Sequence, residues 1–179
     1  MQFKPLPLLL ISGPVGVGKT SVASEVSDLL RAQDISHTFI DLDQLRYTYP
    51  RPAGDRFGSR LGLQNLRDMW RNAAAVGSQN LILSSVIEAW EDVEAIQQMV
   101  PGSVPTVCQL RATVETLEVR VRKREIGAGL AWHLRRSVEL SEILARAEAP
   151  MNFEVWTDGQ SVREIAGKIV EHMNWRTTN

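Results

Sequence analysis

The sequence has a single cysteine, Cys108, so no intrachain disulfide can form, and its 3 histidines join it in no zinc-binding spacing. Cys108 falls inside the apolar segment Val104–Leu110, where a packed thiol is expected rather than a nucleophile. No apolar run approaches the roughly 20 residues that span a bilayer. The first apolar run lacks a signal-peptide cleavage pattern and flows straight into a glycine-rich stretch, so a cytoplasmic chain without a membrane partner is expected. Neither sign of charge is in excess, since 20 Lys and Arg stand against 21 Asp and Glu. That balance argues against a general nucleic-acid coat or a membrane-surface binder. Internal repeats and low-complexity segments are also missing. With 44% apolar and 23% charged residues over 179 positions, one globular domain (1–179) is expected.

What the sequence does contain is organised around Gly13-Pro14-Val15-Gly16-Val17-Gly18-Lys19-Thr20. This stretch has the form G-x-x-x-x-G-K-[ST]. It follows the apolar run Leu8–Ser12 and precedes a helical pattern with Val22, Val26, Leu29 and Leu30 on one face. That strand-to-helix setting is the one a phosphate-binding loop requires. Glycines let the chain wrap closely around a phosphate chain, so successive N–H groups converge on its oxygens. The following helix adds unpaired N–H groups and the positive end of its dipole. Lys19 would reach the β- and γ-phosphates of a nucleotide, and the Thr20 hydroxyl would ligate Mg²⁺. A glycine-rich turn that merely joins a strand to a helix is the plainer alternative.

The remaining pattern alternates strand and helix. Helix one covers Lys19 to Ala32, and strand two covers His37–Leu42, followed by a short helix or turn through Arg46. Tyr47–Arg60 is irregular, broken by Pro50, Pro52, Gly54 and Gly58, and a helical stripe then runs through Leu63, Leu66, Met69, Trp70 and Ala73. Strand three is predicted over Asn80–Ile87, a short helix carries Val93, Ile96 and Val100, and strand four is Val104–Leu110. Thr113 is a plausible N-cap for a helix with Val114, Leu117 and Val121 on its buried side. Gly127 and Gly129 interrupt it, and a further helix carries Leu140, Ile143, Leu144 and Ala147 until Pro150 stops it. Strand five is Phe153–Thr157, and Ser161-Val162-Arg163-Glu164 forms a capping box that opens the last helix. The economical fold is α/β, a parallel sheet covered on both faces.

Three further groups of residues carry chemistry. Asp41 and Asp43 sit two apart at the end of strand two, so strand geometry would point both carboxylates the same way. The C-terminal edge of a parallel sheet is also where ligands bind. One carboxylate could orient Mg²⁺ through water while the other accepts a proton from an attacking hydroxyl. The alternative makes Asp43 an N-cap and leaves Asp41 solvated. Arg46, one turn on, could hold an anionic group of an acceptor, or it is simply an exposed loop arginine. Arg120, Lys123 and Arg124 share a helix face next to the glycine break and Arg135-Arg136. That suits a mobile lid over about residues 120–137 that brings guanidinium groups to a transferring phosphate. A solvated face steadied by a Glu118–Arg122 pair is the blander reading.

The order of phosphate loop, Asp-x-Asp strand and arginine-bearing lid resembles the small P-loop kinases of the nucleoside-monophosphate-kinase-like fold. The nearest flavours are adenylylsulfate, gluconate and shikimate kinases, chloramphenicol phosphotransferases and zeta-toxin-like kinases. The resemblance spans nearly the whole chain, including Leu110-Arg111-Ala112 and Trp156-Thr157-Asp158-Gly159. It implies a three-layer fold with sheet order 2-3-1-4-5, and ATP and Mg²⁺ serving phosphate transfer to a small acceptor. By position, Gly13, Val15, Gly16, Val17, Gly18, Lys19, Thr20 and Ser21 match the phosphate loop. Asp41 matches the Asp associated with Mg²⁺, and Asp43 the acceptor-binding Asp and candidate base. Arg120 matches the arginine that stacks on adenine, Arg124 its phosphate-facing partner, and the Thr157–Gln160 turn the loop that borders the adenine. Strand three departs from the pattern, because Ser84-Ser85 stands where many relatives carry an Asp, unless Glu88 substitutes.

Acceptor recognition is expected from Tyr47–Arg60, the Leu61–Val76 helix and the end of strand three. Tyr47, Tyr49, Arg51, Arg56, Trp70, Arg71, Glu88 and Trp90 are possible lining residues, with Trp70 favoured as core. Such a wall suits a small polar molecule with an anionic or sugar-like group. The partners expected are a small-molecule acceptor and no nucleic acid, for a chain that is a monomer or homodimer. A nucleotide-dependent switch without phosphotransfer is the competing reading.

Overall fold

The computed structural model describes residues 5–124, 127, 129–146 and 148–176. In chain order its elements are β1 (Leu6–Ser12), α1 (Lys19–Ala32), β2 (Thr38–Asp41), a 3₁₀ turn (Gln44–Arg46) and α2 (Ser59–Ala75). They continue with β3 (Leu81–Ser84), α3 (Trp90–Met99), β4 (Ser103–Arg111), α4 (Val114–Arg124), α5 (Leu130–Leu144), β5 (Phe153–Trp156) and α6 (Val162–Met173). The strands form one parallel sheet in the order β2-β3-β1-β4-β5. This is the order that the resemblance implies.

Alternation along the central strands divides the core in two. Leu9 and Ile11 of β1, with Ile82, Cys108 and Leu110, face Val22, Val26 and Leu30 of α1, Leu117 of α4 and Ile165 and Ile169 of α6. Leu8 and Leu10, with Leu81, Leu83 and Val107, face Leu66 and Trp70 of α2 and Val93 and Ile96 of α3. Helices therefore cover both faces, and Leu8–Ile11 are sealed from water on either side. Burial pushes the Cys108 thiol up to about 12, which leaves it protonated and inert, as expected of a packed cysteine. The capping box forms as predicted: Glu164 N–H donates to Ser161 Oγ at 3.2 Å, and Ser161 N–H donates to Glu164 Oε2 at 2.8 Å.

Most strand ends shift by one to three residues, and two of the shifts bear on the site. β3 ends at Ser84 rather than Ile87, because the next N–H groups leave the ladder. Ser85 N–H donates to the Ile11 carbonyl and Ile87 N–H to Ser12 Oγ, which bends the chain across the end of β1. The apolar character of Ile87 reflects burial in that bend, not strand pairing, while the half-buried Val86 lines the cleft edge. β2 ends at Asp41, and Asp43 already has helical dihedrals. The strand argument for a shared face of Asp41 and Asp43 therefore fails at its second residue. Ala147, predicted on the α5 stripe, lies outside the described residues, as does part of the segment between α4 and α5.

Candidate phosphate-binding and phosphoryl-transfer site

Residues 13–18 join β1 to α1 at the C-terminal edge of the sheet. Gly13 approaches β4 so closely that a Cβ there would meet the Leu110 carbonyl oxygen at 2.6 Å. Gly16 and Gly18 take φ of +86° and +102°, the left-handed region that side chains disfavour. Switching backbone hand in this way turns N–H groups toward the inside of the loop. Gly18 is also the N-cap of α1, whose first N–H groups have no intrahelical acceptor.

The Lys19 ammonium lies inside this loop, where Nζ donates to the carbonyls of Gly13 at 2.9 Å and Pro14 at 3.1 Å. Burial lowers its pKa from 10.5 to about 8; Asp43 and Asp41 pull the other way, and the Arg124 charge adds to the lowering. A bound polyphosphate would reverse the shift, because four negative charges would favour the protonated form. At pH 8.5 roughly three-quarters of Lys19 is neutral, by titration about the value of 8. Nucleotide binding at pH 8.5 is therefore expected to take up about 0.5 to 0.75 proton per site through Lys19, and close to none at pH 6.5. Calorimetric titration in two buffers of different ionisation enthalpy reads this directly, and equal heats at pH 8.5 would refute it.

The loop opens into a cleft of about 840 Å³, lined by Val15, Gly16, Gly18, Lys19, Thr20 and Ser21 on one side. Asp43 and Arg46 line it beyond β2, Ser85 and Glu88 beyond β3, Arg124 from α4, and Trp132, His133 and Arg136 from α5. The cleft thus gathers Lys19, Asp43, Arg46 and Arg124, which lie far apart in sequence.

Asp41 stands apart from these lining residues. One of its oxygens accepts the Thr20 hydroxyl at 2.8 Å and the other accepts Asp43 N–H at 3.1 Å. Asp41 thereby fixes both the hydroxyl of the loop and the turn that carries Asp43. A hydroxyl and a carboxylate in contact are hard oxygen donors that fit Mg²⁺, which usually keeps several waters and shares phosphate oxygens. Among the described residues no group of three or more His, Cys, Asp or Glu could hold a metal by itself.

Arg120 lies behind the loop rather than in the cleft. It donates to the Val17 carbonyl at 3.3 Å, to Thr157 Oγ1 at 2.8 Å and to the Thr157 carbonyl at 3.0 Å. It thus bridges the phosphate loop to the Thr157–Gln160 turn. Val17 itself is core, so it serves the loop through its backbone. Arg46 donates to Ser85 Oγ at 3.3 Å and lies 3.7 Å from Asp43, so Ser85 positions an arginine at the end of β3. Glu88 pairs with Arg136 of α5, which also pairs with Glu139 at 3.0 Å. Glu88 is thus held across the cleft by a cation.

Of the residues expected to meet an acceptor, Tyr47, Arg51 and Arg56 line a side lobe and Glu88 lines the main cleft. Trp70 is core, and Arg71 reaches Asp68 at 3.8 Å. Tyr49 and Trp90 are exposed and line neither hollow. Sequence reasoning missed the slot for Arg46. A Cβ on Gly62 would meet Arg46 Cγ at 2.7 Å, and one on Gly58 would meet its carbonyl oxygen at 2.7 Å. Two glycines four apart at the start of a helix were the available signal.

No protein-family model and no curated protein matches the sequence. Solved structures match it over nearly full length. APS kinase of Mycobacterium tuberculosis, in complex with AMPPNP and APS, is 21% identical at a TM-score of 0.63, covering 97% of this chain and 100% of its own. A gluconokinase from Sinorhizobium meliloti 1021 is 16% identical at 0.63, covering 96% and 94%. The tunicamycin resistance protein of Deinococcus radiodurans is 17% identical at 0.64, covering 93% and 95%. With its parallel 2-3-1-4-5 sheet and its phosphate loop after β1, the chain has the fold of the P-loop small-molecule kinases.

Proposed function

We propose that this protein transfers the γ-phosphoryl group of Mg-ATP to a small molecule, with a hydroxyl as the preferred acceptor. The observation that carries the reading is the convergence of Lys19, Asp43 and Arg124 on one cleft, beside the Thr20–Asp41 contact. The loop amides and Lys19 hold the phosphates of the donor, and Arg124 meets charge that develops on the transferring group. Asp43 accepts a hydrogen bond from the acceptor hydroxyl and takes its proton as the new P–O bond forms. The bond between the γ-phosphorus and the β–γ bridging oxygen breaks, ADP leaves, and the proton passes from Asp43 to water. Thr20 and Asp41 would hold Mg²⁺, whose chemistry is to neutralise charge on the phosphate oxygens. Arg120 and the Thr157–Gln160 turn flank the adenine.

Ser85 supports a second reading, a nucleotide-dependent switch without phosphotransfer, because a serine there supplies no second carboxylate for the metal. ADP release from Mg-ATP across a panel of sugar acids, nucleosides, antibiotics and other hydroxylated metabolites separates the two. Acceptor-stimulated release that disappears in Lys19→Ala is the expected result. Tight ATP binding with no stimulation by any member would favour the switch.

A further inference from the structure

A side lobe of about 560 Å³ opens off the main cleft and shares Asp43, Arg46 and Phe57 with it; Tyr47, Arg51 and Arg56 complete its lining. An acceptor hydroxyl placed at Asp43 would thus have this lobe on one side. Its charge is lopsided, with three guanidinium groups against the one carboxylate of Asp43.

Among the described residues Arg31, Arg46, Arg67, Arg71, Arg111, Arg122, Arg136 and Arg163 each meet a carboxylate within 4.0 Å. Arg51 and Arg56 meet none among the described residues. Arg51 reaches only the Arg56 carbonyl at 3.4 Å, and Arg56 lies over the Phe57 ring at 5.5 Å. The loop between Tyr47 and Arg60 has one acidic residue, Asp55, and it is turned the other way. Asp55 Oδ2 accepts Leu61 N–H at 3.1 Å, and hydrogen bonds from that amide and its two predecessors at the start of α2 hold its carboxyl below the usual range. The one acidic residue of this loop is therefore spent on a helix N-terminus, while Asp43 is shared with Arg46. Two guanidinium groups are left facing a concave, aromatic-walled lobe next to the candidate base. Fork-shaped donors in such a place match a carboxylate or phosphate.

We infer that the acceptor is a hydroxyl-bearing anion, with its negative group held by Arg51 and Arg56 in the side lobe and its hydroxyl at Asp43. This rests on the kinase reading of the cleft and selects an anionic acceptor over a neutral one. The same chemistry is offered by a carboxylate or by a phosphate ester, and matched probes distinguish them.

The experiment titrates the protein, saturated with Mg²⁺ and a non-hydrolysable ATP analogue so that the phosphate loop is filled, with gluconate, glucose 6-phosphate and AMP. Glucitol, glucose and adenosine are the uncharged counterparts. At least one anion is expected to bind at least tenfold more tightly than its counterpart. Arg51→Ala/Arg56→Ala should weaken that binding about tenfold or more and leave the analogue's own affinity within twofold. Arg31→Ala/Arg67→Ala, which removes the same charge elsewhere, should change neither. Failure of all three anions to outbind their counterparts, or equal binding in the Arg51/Arg56 variant, would overturn the inference. ADP release with the same probes keeps the two readings apart. Stimulation by the neutral members alone would leave the kinase standing and remove the anion lobe. Binding of an anion through Arg51 and Arg56 without ADP release would keep the lobe and remove the kinase.

Discussion

Asp43→Asn is expected to lower acceptor-dependent turnover by about 10² to 10⁴-fold, the usual contribution of a positioned general base. Nucleotide affinity should stay within about threefold, because Asp43 belongs to the turn after β2 and not to the loop that would hold the phosphates. The amide keeps the size of the side chain and its turn, which Asp41 holds through the Asp43 N–H. It cannot take a proton from a hydroxyl. A secondary effect gives the experiment an internal check. Asp43 is among the charges that raise the Lys19 pKa, so its loss should move Lys19 further below about 8. Proton uptake on nucleotide binding at pH 8 should then increase. Unchanged turnover in the presence of that increase would show that Asp43 acts on Lys19 alone and not on the acceptor.

Lys19→Ala is the second large effect, and it has a different signature. Removing a charged donor aimed at transferring phosphate costs on the order of 10² to 10³ in turnover. Here nucleotide binding falls as well, because Lys19 meets phosphate in the ground state too. Thermal unfolding provides the readout. A ligand at about 100 times its Kd stabilises a folded protein by about 2.7 kcal/mol. Mg-ATP should raise the Tm of the wild-type chain by several degrees and that of Lys19→Ala hardly at all. Without nucleotide the variant loses the two contacts to the Gly13 and Pro14 carbonyls but also sheds a buried charge, so its own Tm should change little. A variant that kept the full nucleotide-induced shift would place the phosphates elsewhere.

The parts of this molecule that a reader of the sequence can find are those fixed by near neighbours. The glycines of the loop, the Ser161–Glu164 box and the Thr113 cap act over a few residues. Thr116 N–H indeed donates to Thr113 Oγ1 at 3.3 Å. The sheet order is not of that kind and followed from resemblance to known kinases. Contacts between distant side chains were hidden for a different reason. Nothing local marks Glu88 as the partner of Arg136, or sends Arg120 to Thr157. Each pairing depends on where α4 and α5 come to rest. Asp41 and Asp43 show a third case. Their spacing pointed to the correct end of the sheet but to the wrong local geometry, because the strand stops between them. Asp55 shows a fourth: it reads as one more loop charge until its carboxylate is seen at the start of α2.

The outward carbonyls of the phosphate loop have a consequence for how nucleotide could leave. Val15 accepts the Ser137 hydroxyl of α5 at 2.7 Å, and Val17 accepts Arg120 of α4. The inner surface of the loop holds the Lys19 ammonium while its outer surface is tied to two different helices. Under the proposed phosphotransfer, a displacement of the loop by incoming or departing phosphate would be felt along both tethers. On that reading, the residence time of product would depend on Ser137 and Arg120 as well as on Lys19, although neither side chain lines the cleft.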